Sequence, residues 1–238
     1  MANSAALPGR PRSRDAAGLP AVTPDRIIAA ALELTAQHGL SNWTLRQLAA
    51  AVEAYPAVIY HHVGDRDAVV NAVVDRVIGM YPLPPAELPW RDWFRMLFTE
   101  QRVVLSKYPG VARRLSVNGP TVHAAATTVD RGVRALQAAG FGDEAPAIYR
   151  FLANLVCLFV SVEDDQRCRS DMLARNSVTW GEHRDDPELP GLAAMSESVH
   201  ALGTDPDRWE NYFNEQFDYA MERGLDGVAA RLAAIKGT

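Results

Sequence analysis

Apolar residues recur along this chain at spacings of three and four, and almost nowhere in sustained alternation with polar ones. That is the period of helices with one buried face, so the pattern predicts an all-α protein. The first helix opens with Thr23 as N-cap and Pro24 in its first turn, carries Ile27, Ile28, Ala31 and Leu34 inward, and stops at Gly39. For the second, Thr44 and Gln47 have the spacing of a capping box, Trp43 is placed to staple onto Leu48, and Leu45, Leu48, Ala49 and Val52 make a stripe. After a break at Glu53 and Ala54, Tyr55-Pro56 starts a short third helix that holds Ala57 to His62 and ends at Gly64. Asp65 caps a fourth, whose Val69, Val70, Val73, Val74, Val77 and Ile78 are apolar around much of the circumference, as in a helix packed on two sides.

Pro82, Pro84, Pro85 and Pro89 prevent a continuous helix over residues 80–89 and place a domain boundary there. Beyond it, helices are expected from about Trp90 to Lys107, in a short piece ended by Gly119-Pro120, from Thr121 to Ala139, and from Glu144 to Asp164 with Asp143 as cap. The last carries Ile148, Phe151, Leu152, Leu155, Val156, Phe159 and Val160 without a gap in the helical period. Residues 165–204, with Pro187, Pro190 and Gly191, are expected to be irregular or partly helical, and Asp205-Pro206 to cap a final helix. Three units follow: a disordered basic arm over 1–20, a front unit over 21–80, and a larger helical unit over 81–238.

Composition narrows the function. Net charge is -5, which argues against nonspecific coating of nucleic acid. Seven arginines balance seven acidic residues in the first 80 positions, so the acidity lies in the remainder. No run is expected to approach the roughly 20 apolar residues of a membrane span, and the Arg- and Pro-rich start lacks the apolar segment of a signal peptide, so a cytoplasmic location is expected, with no membrane partner. Cys157 and Cys168 suit free thiols in a reducing compartment, and no metal or cofactor is expected.

Two short helices joined by a tight turn on a longer first helix are what a helix-turn-helix requires, although on pattern alone a structural cap is equally served. The residues go further. Thr44-Leu45-Arg46-Gln47-Leu48-Ala49, then Tyr55-Pro56-Ala57-Val58-Ile59-Tyr60-His61-His62-Val63, then Asp65-Arg66-Asp67-Ala68-Val69-Val70 resemble the signature of tetracycline-repressor-like (TetR) regulators over residues 24–78. The resemblance implies a homodimer that binds a palindromic double-stranded DNA operator. It assigns Thr44 and Arg46 to phosphate or groove-edge contact, Tyr55, Pro56 and Ala57 to base edges, Tyr60 and His61 to phosphates, and Arg66 to a phosphate at the amino end of the fourth helix. Ile59, His62 and Val63 are expected in the core. The chain departs from the family's pattern in carrying Glu53 where the turn glycine usually stands and Tyr55 in place of a small N-cap, a loss of about 1 kcal/mol. With Arg46 and Glu53 the only full charges from Gln37 to Val63, few phosphates are neutralised and binding should depend on dimerisation.

The larger unit reads as a sensor. Phe94, Phe98 and Arg102, with Trp93, are candidates for an effector pocket on one helix, Val117 and His123 near the next, and Asn154 and Cys157 on a third. Asn154 and His123 stand out because a buried polar group needs a partner. The family resemblance implies that the 144–164 and final helices form the dimer interface, and that a small-molecule ligand relieves operator binding, as expected of a repressor. A helical enzyme, or a small-molecule-binding protein without DNA function, is the alternative. No G-x-S-x-G, H-E-x-x-H, G-x-G-x-x-G or P-loop is present, so no catalytic residue is assigned, and the run Glu163-Asp164-Asp165 reads as solvated.

Overall fold

The computed structural model describes the backbone of residues 21–167 and 170–237; no strand occurs among them, and the basic arm and Cys168 lie outside the described residues. The order is α1 (Pro24–His38), α2 (Leu45–Ala51), α3 (Pro56–His62), α4 (Arg66–Ile78), α5 (Trp90–Leu105), α6 (Val111–Asn118), α7 (Val122–Ala139), α8 (Ala145–Arg167), α9 (Ser170–Gly181), α10 (Pro190–Thr204) and α11 (Pro206–Lys236). The fold is all-α, with a helix-turn-helix at its amino end and a larger helical part behind it.

Local chemistry accounts for the front. Thr23 Oγ1 accepts from Arg26 N, Asp65 Oδ1 from Ala68 N, and Thr44 and Gln47 complete the reciprocal capping box. Each cap satisfies backbone donors that a helix start leaves orphaned, worth about 1 kcal/mol apiece. Ile27, Ala31, Trp43, Leu48, Ile59, Val69 and Val73 are essentially inaccessible and bind α1 to α4 into one small core. The Trp43 indole is anchored within it: Nε1 donates to Thr35 Oγ1 at 2.9 Å, and that hydroxyl donates to Ala31 O at 2.8 Å. His62 departs from expectation, being exposed. Val63, one turn beyond Ile59, takes the inward seat, and α3 is too short for a second layer.

The connector between α4 and α5 does not isolate two cores. α4 packs on α1 with one side and on α6 and α7 with the other, so front and back share a continuous apolar interior. Hydrogen bonds cross the same seam: Arg114 Nη2 to Asn71 Oδ1 at 3.0 Å, Thr121 Oγ1 to Asp75 Oδ1 at 2.8 Å, and Leu40 N to Pro109 O at 2.8 Å. At Gly110, φ is +88° and a Cβ would lie 3.3 Å from Leu40 Cβ, so this loop needs glycine on both counts.

Residues 165–204 are partly helical, as expected: α9 and α10 pack along one another, and among the described residues the segment around Pro187 is irregular. Two other expectations need correction in the back. α8 begins through a 3-10 turn, Gly142–Glu144, and no cap bond from Asp143 is formed. Gly142–Arg167 is also long and apolar enough to cross a membrane by length and composition, contrary to the expectation that no run approaches one. This helix is the centre of the bundle, packed against α5, α6, α7 and α11. Only 22% of its most apolar window is buried, because Leu152, Val156 and Val160 point inward while Phe151, Leu158 and Val162 face outward. Across α5 and α11, Arg91 meets Glu222 and Asp226, and Arg95 meets Glu222, which fixes the last helix against the bundle.

Candidate nucleic-acid interface and effector cavity

The helix-turn-helix presents one face to solvent. Tyr55, at the cap of α3, is 83% exposed and forms no side-chain cap bond; Tyr60 is 55% exposed, and Ala57, His61, Arg46 and Thr44 are exposed beside them. Pro56 is half-buried at the first turn of α3. Tyrosines of such exposure do nothing for the core, while their rings and hydroxyls suit base edges and phosphates. Arg46 forms no ion pair among the described residues and is the free cation of this face. Thr44 is less available, because its hydroxyl both caps Gln47 N and donates to Gln47 Oε1 at 2.9 Å.

Arg66 is partly engaged within the head. It is half-buried, with Nη2 donating to Leu40 O at 3.0 Å and Trp43 O at 3.4 Å and its guanidinium 4.9 Å from the Trp43 ring. The arginine therefore ties α4 to the α1–α2 loop and leaves only part of its fork for a phosphate. Glu53, in the turn, has φ of +53°, a left-handed conformation that costs a side chain about 1 kcal/mol, and its carboxylate lies 3.8 Å from Arg26.

Behind the reading head, a cavity of about 540 Å³ opens between α4, α6, α7 and α8. Ile78, Leu105, Leu115, Val129 and Val133 give it apolar walls, and Tyr81, Tyr149, Gln101, Asn154, Cys157 and Arg150 add polar groups. That volume and mixture suit a small organic molecule. Burial pushes the Tyr81 hydroxyl upward from its ordinary pKa, the Tyr149 hydroxyl up to about 12 and the Cys157 thiol up to about 12, so all three are neutral donors.

The structure brings together only part of the expected pocket. Asn154, Cys157 and Val117 line the cavity. Phe94 and Phe98 are buried core instead; Phe94 stands behind Tyr149, with ring centroids 6.2 Å apart, and backs the wall without lining it. Arg102 serves a separate polar cleft, where Nη2 lies 3.1 Å from Glu163 Oε2 and Nη1 donates to Asn214 Oδ1 at 2.9 Å. His123 is exposed and lines no cavity described. The acidic run is not simply solvated either: Glu163 is buried between Arg102 and Arg167, and Asp164 accepts from Gly110 N at 2.9 Å, with burial raising its pKa to about 6. Sequence reasoning missed Tyr81 and Tyr149. The argument that singled out Asn154 applies to them, since a tyrosine hydroxyl in an apolar stripe also needs a partner.

Residues 27–73 match the family described as bacterial regulatory proteins, tetR family. An HTH-type transcriptional regulator of Saccharopolyspora erythraea is 30% identical over 223 residues, which cover 92% of this chain and 87% of that protein. Among solved structures, the Streptomyces coelicolor TetR family protein ActR in complex with actinorhodin shares the fold with a TM-score of 0.68 and 23% identity, over 87% of this chain and 99% of its own. BioQ with its double-stranded DNA operator does so with a TM-score of 0.55 and 24% identity, over 62% of this chain and 90% of its own. With a relative matched along nearly its whole length and its reading head matching the family's DNA-binding part, the chain belongs to the tetR family of bacterial regulatory proteins.

Proposed function

We propose that this regulator is a cytoplasmic homodimeric repressor that binds a palindromic operator through the α2–α3 face and lets go when a small molecule enters the α4–α6–α7–α8 cavity. The observation that carries the reading is the exposure of Tyr55, Ala57, Tyr60 and His61 on a helix whose Ile59 is wholly buried, because the core fixes the helix while its outer face has no internal task. Arg46, Tyr60 and His61 hold phosphates; Tyr55, Pro56 and Ala57 meet base edges; Thr44 and Arg66 contribute less, being engaged within the head. With so few cations, one head binds weakly, and two heads on a two-fold site supply the affinity.

The second head comes from another copy of the chain. Phe151, Leu158 and Val162 leave an apolar face on α8 beside α11, and a four-helix contact between copies would cover it. Effector control follows from the shared wall, since Ile78 of α4 lines the cavity and belongs to the helix that carries the head. A ligand that binds better to one spacing of the heads shifts the population toward it, and DNA weakens ligand binding by the same factor. Sedimentation with and without DNA selected from the gene's own genome tests the reading: a dimer that prefers no sequence would overturn it.

A further inference from the structure

The cavity has a polarity that narrows its ligand. Arg150 is the one charged residue in its lining, no carboxylate lines it, and Arg150 forms no ion pair or side-chain hydrogen bond among the described residues. The neighbouring Asp130 and Arg134 lie on another cavity and pair with each other at 3.7 Å. Tyr81, Tyr149 and Cys157 line the same cavity, and neither tyrosine hydroxyl has a hydrogen-bond partner among the described residues. Cys157 sits two turns along α8 from Arg150, roughly 10 Å. The lining therefore offers one exposed, unpaired cation together with uncharged donors among apolar walls. A carboxylate set against the apolar walls would lose water and meet no counter-charge, which is costly; beside Arg150 it meets a guanidinium.

Taking this cavity as the sensor site proposed above, we infer that its ligand is an apolar organic acid, of aromatic-ring size, whose carboxylate pairs with Arg150 while a separate uncharged acceptor oxygen receives the Tyr81 and Tyr149 hydroxyls. A cationic molecule would face the guanidinium, and a pure hydrocarbon would leave it and the hydroxyls without partners.

The test uses the full-length protein and three probes of one shape: para-benzoylbenzoate, para-benzoylbenzamide and para-(aminomethyl)benzophenone. Titration calorimetry at pH 7.5 should show the acid binding about fivefold or more tighter than the amide, with the amine weakest. Arg150→Gln should bring the acid down to the level of the amide and leave the amide unchanged. Tyr81→Phe and Tyr149→Phe should weaken acid and amide alike, because the ketone end is common to both. Equal binding of acid and amide, a preference for the amine, no binding by any probe, or a preference that survives Arg150→Gln overturns the assignment. Anisotropy of a labelled operator duplex, read in the same titrations, separates the two claims. An acid that binds without releasing DNA removes the coupling and leaves the ligand class standing; release by the amine alone leaves the sensor and removes the class.

Discussion

Gly132 offers a sharp test of how α7 meets α8. A Cβ added there would stand 2.6 Å from Tyr149 Cε2, 2.7 Å from Tyr149 Cδ2 and 3.2 Å from Trp93 Cζ3. Trp93 is 1% exposed and has nowhere to go, whereas Tyr149 borders the cavity and can turn into it. Gly132→Ala in the middle of α7 gains about 1 kcal/mol of helix propensity. Against that stand overpacking and an off-rotamer tyrosine, together about 1 to 3 kcal/mol. The expected balance is a loss of about 0 to 2 kcal/mol, read as a lower urea midpoint with an unchanged slope. Displacing Tyr149 also fills the cavity, so the variant should keep operator binding and lose effector response. A higher midpoint equivalent to a gain of about 1 kcal/mol, with effector response intact, would show that the ring does not lie against the glycine.

Further outcomes follow from the reading head and from the ion pairs. Thr35→Val strands the Trp43 indole donor in the core and should cost about 1 to 3 kcal/mol in chemical denaturation; a loss below about 0.5 would contradict the relay. Glu53→Gly relieves the left-handed strain and removes an acidic charge from the turn before the proposed reading helix, so thermal stability should rise slightly and operator affinity should increase; unchanged affinity would place Glu53 away from phosphate. The Arg95 and Arg91 guanidinium groups hold the Glu222 carboxyl at about 2, below its ordinary 4.5, so its stabilisation is present above pH 4.5 and is lost as pH falls toward 2. Glu222→Gln should therefore flatten acid unfolding in that window. Asp164 has the opposite sign: raised from 3.8 to about 6, it favours folding at low pH and disfavours it as pH rises through that interval. Asp164→Asn should raise the melting temperature at pH 7.5 and bring no gain below pH 4.

The front of the fold was legible because its signals are local. Thr23, Thr44 with Gln47, and Asp65 cap the helices they announce, and a cap depends only on residues three positions away. The α9–α10 pair was not, because its contact is made by small and polar residues: Ser177 and Ser196 are buried, and Ser177 is pressed against Gly203, which produces no apolar stripe to read. In the cavity, Asn154 and Cys157 announced themselves as polar groups on an apolar helix. Whether Phe94 and Phe98 or Tyr81 and Tyr149 would face the cavity depended on how α5, α7 and α8 rotate against one another, which long-range packing decides. The inward turn of Arg66 could not be read from its motif position, since the carbonyls of Leu40 and Trp43 come within its reach only in the folded head.

Reading of DNA by the α2–α3 face of a dimer is testable at Arg46 and Tyr60. The most direct measurement is the affinity of Arg46→Ala and Tyr60→Ala for a duplex selected from genomic DNA, taken across a salt series with the oligomeric state recorded in parallel. Dimers of unchanged size are expected, with affinity for the selected duplex reduced by tenfold or more and a salt slope for Arg46→Ala lower by about one. Wild-type affinity in both variants, or a loss that tracks dissociation of the dimer, would contradict that reading.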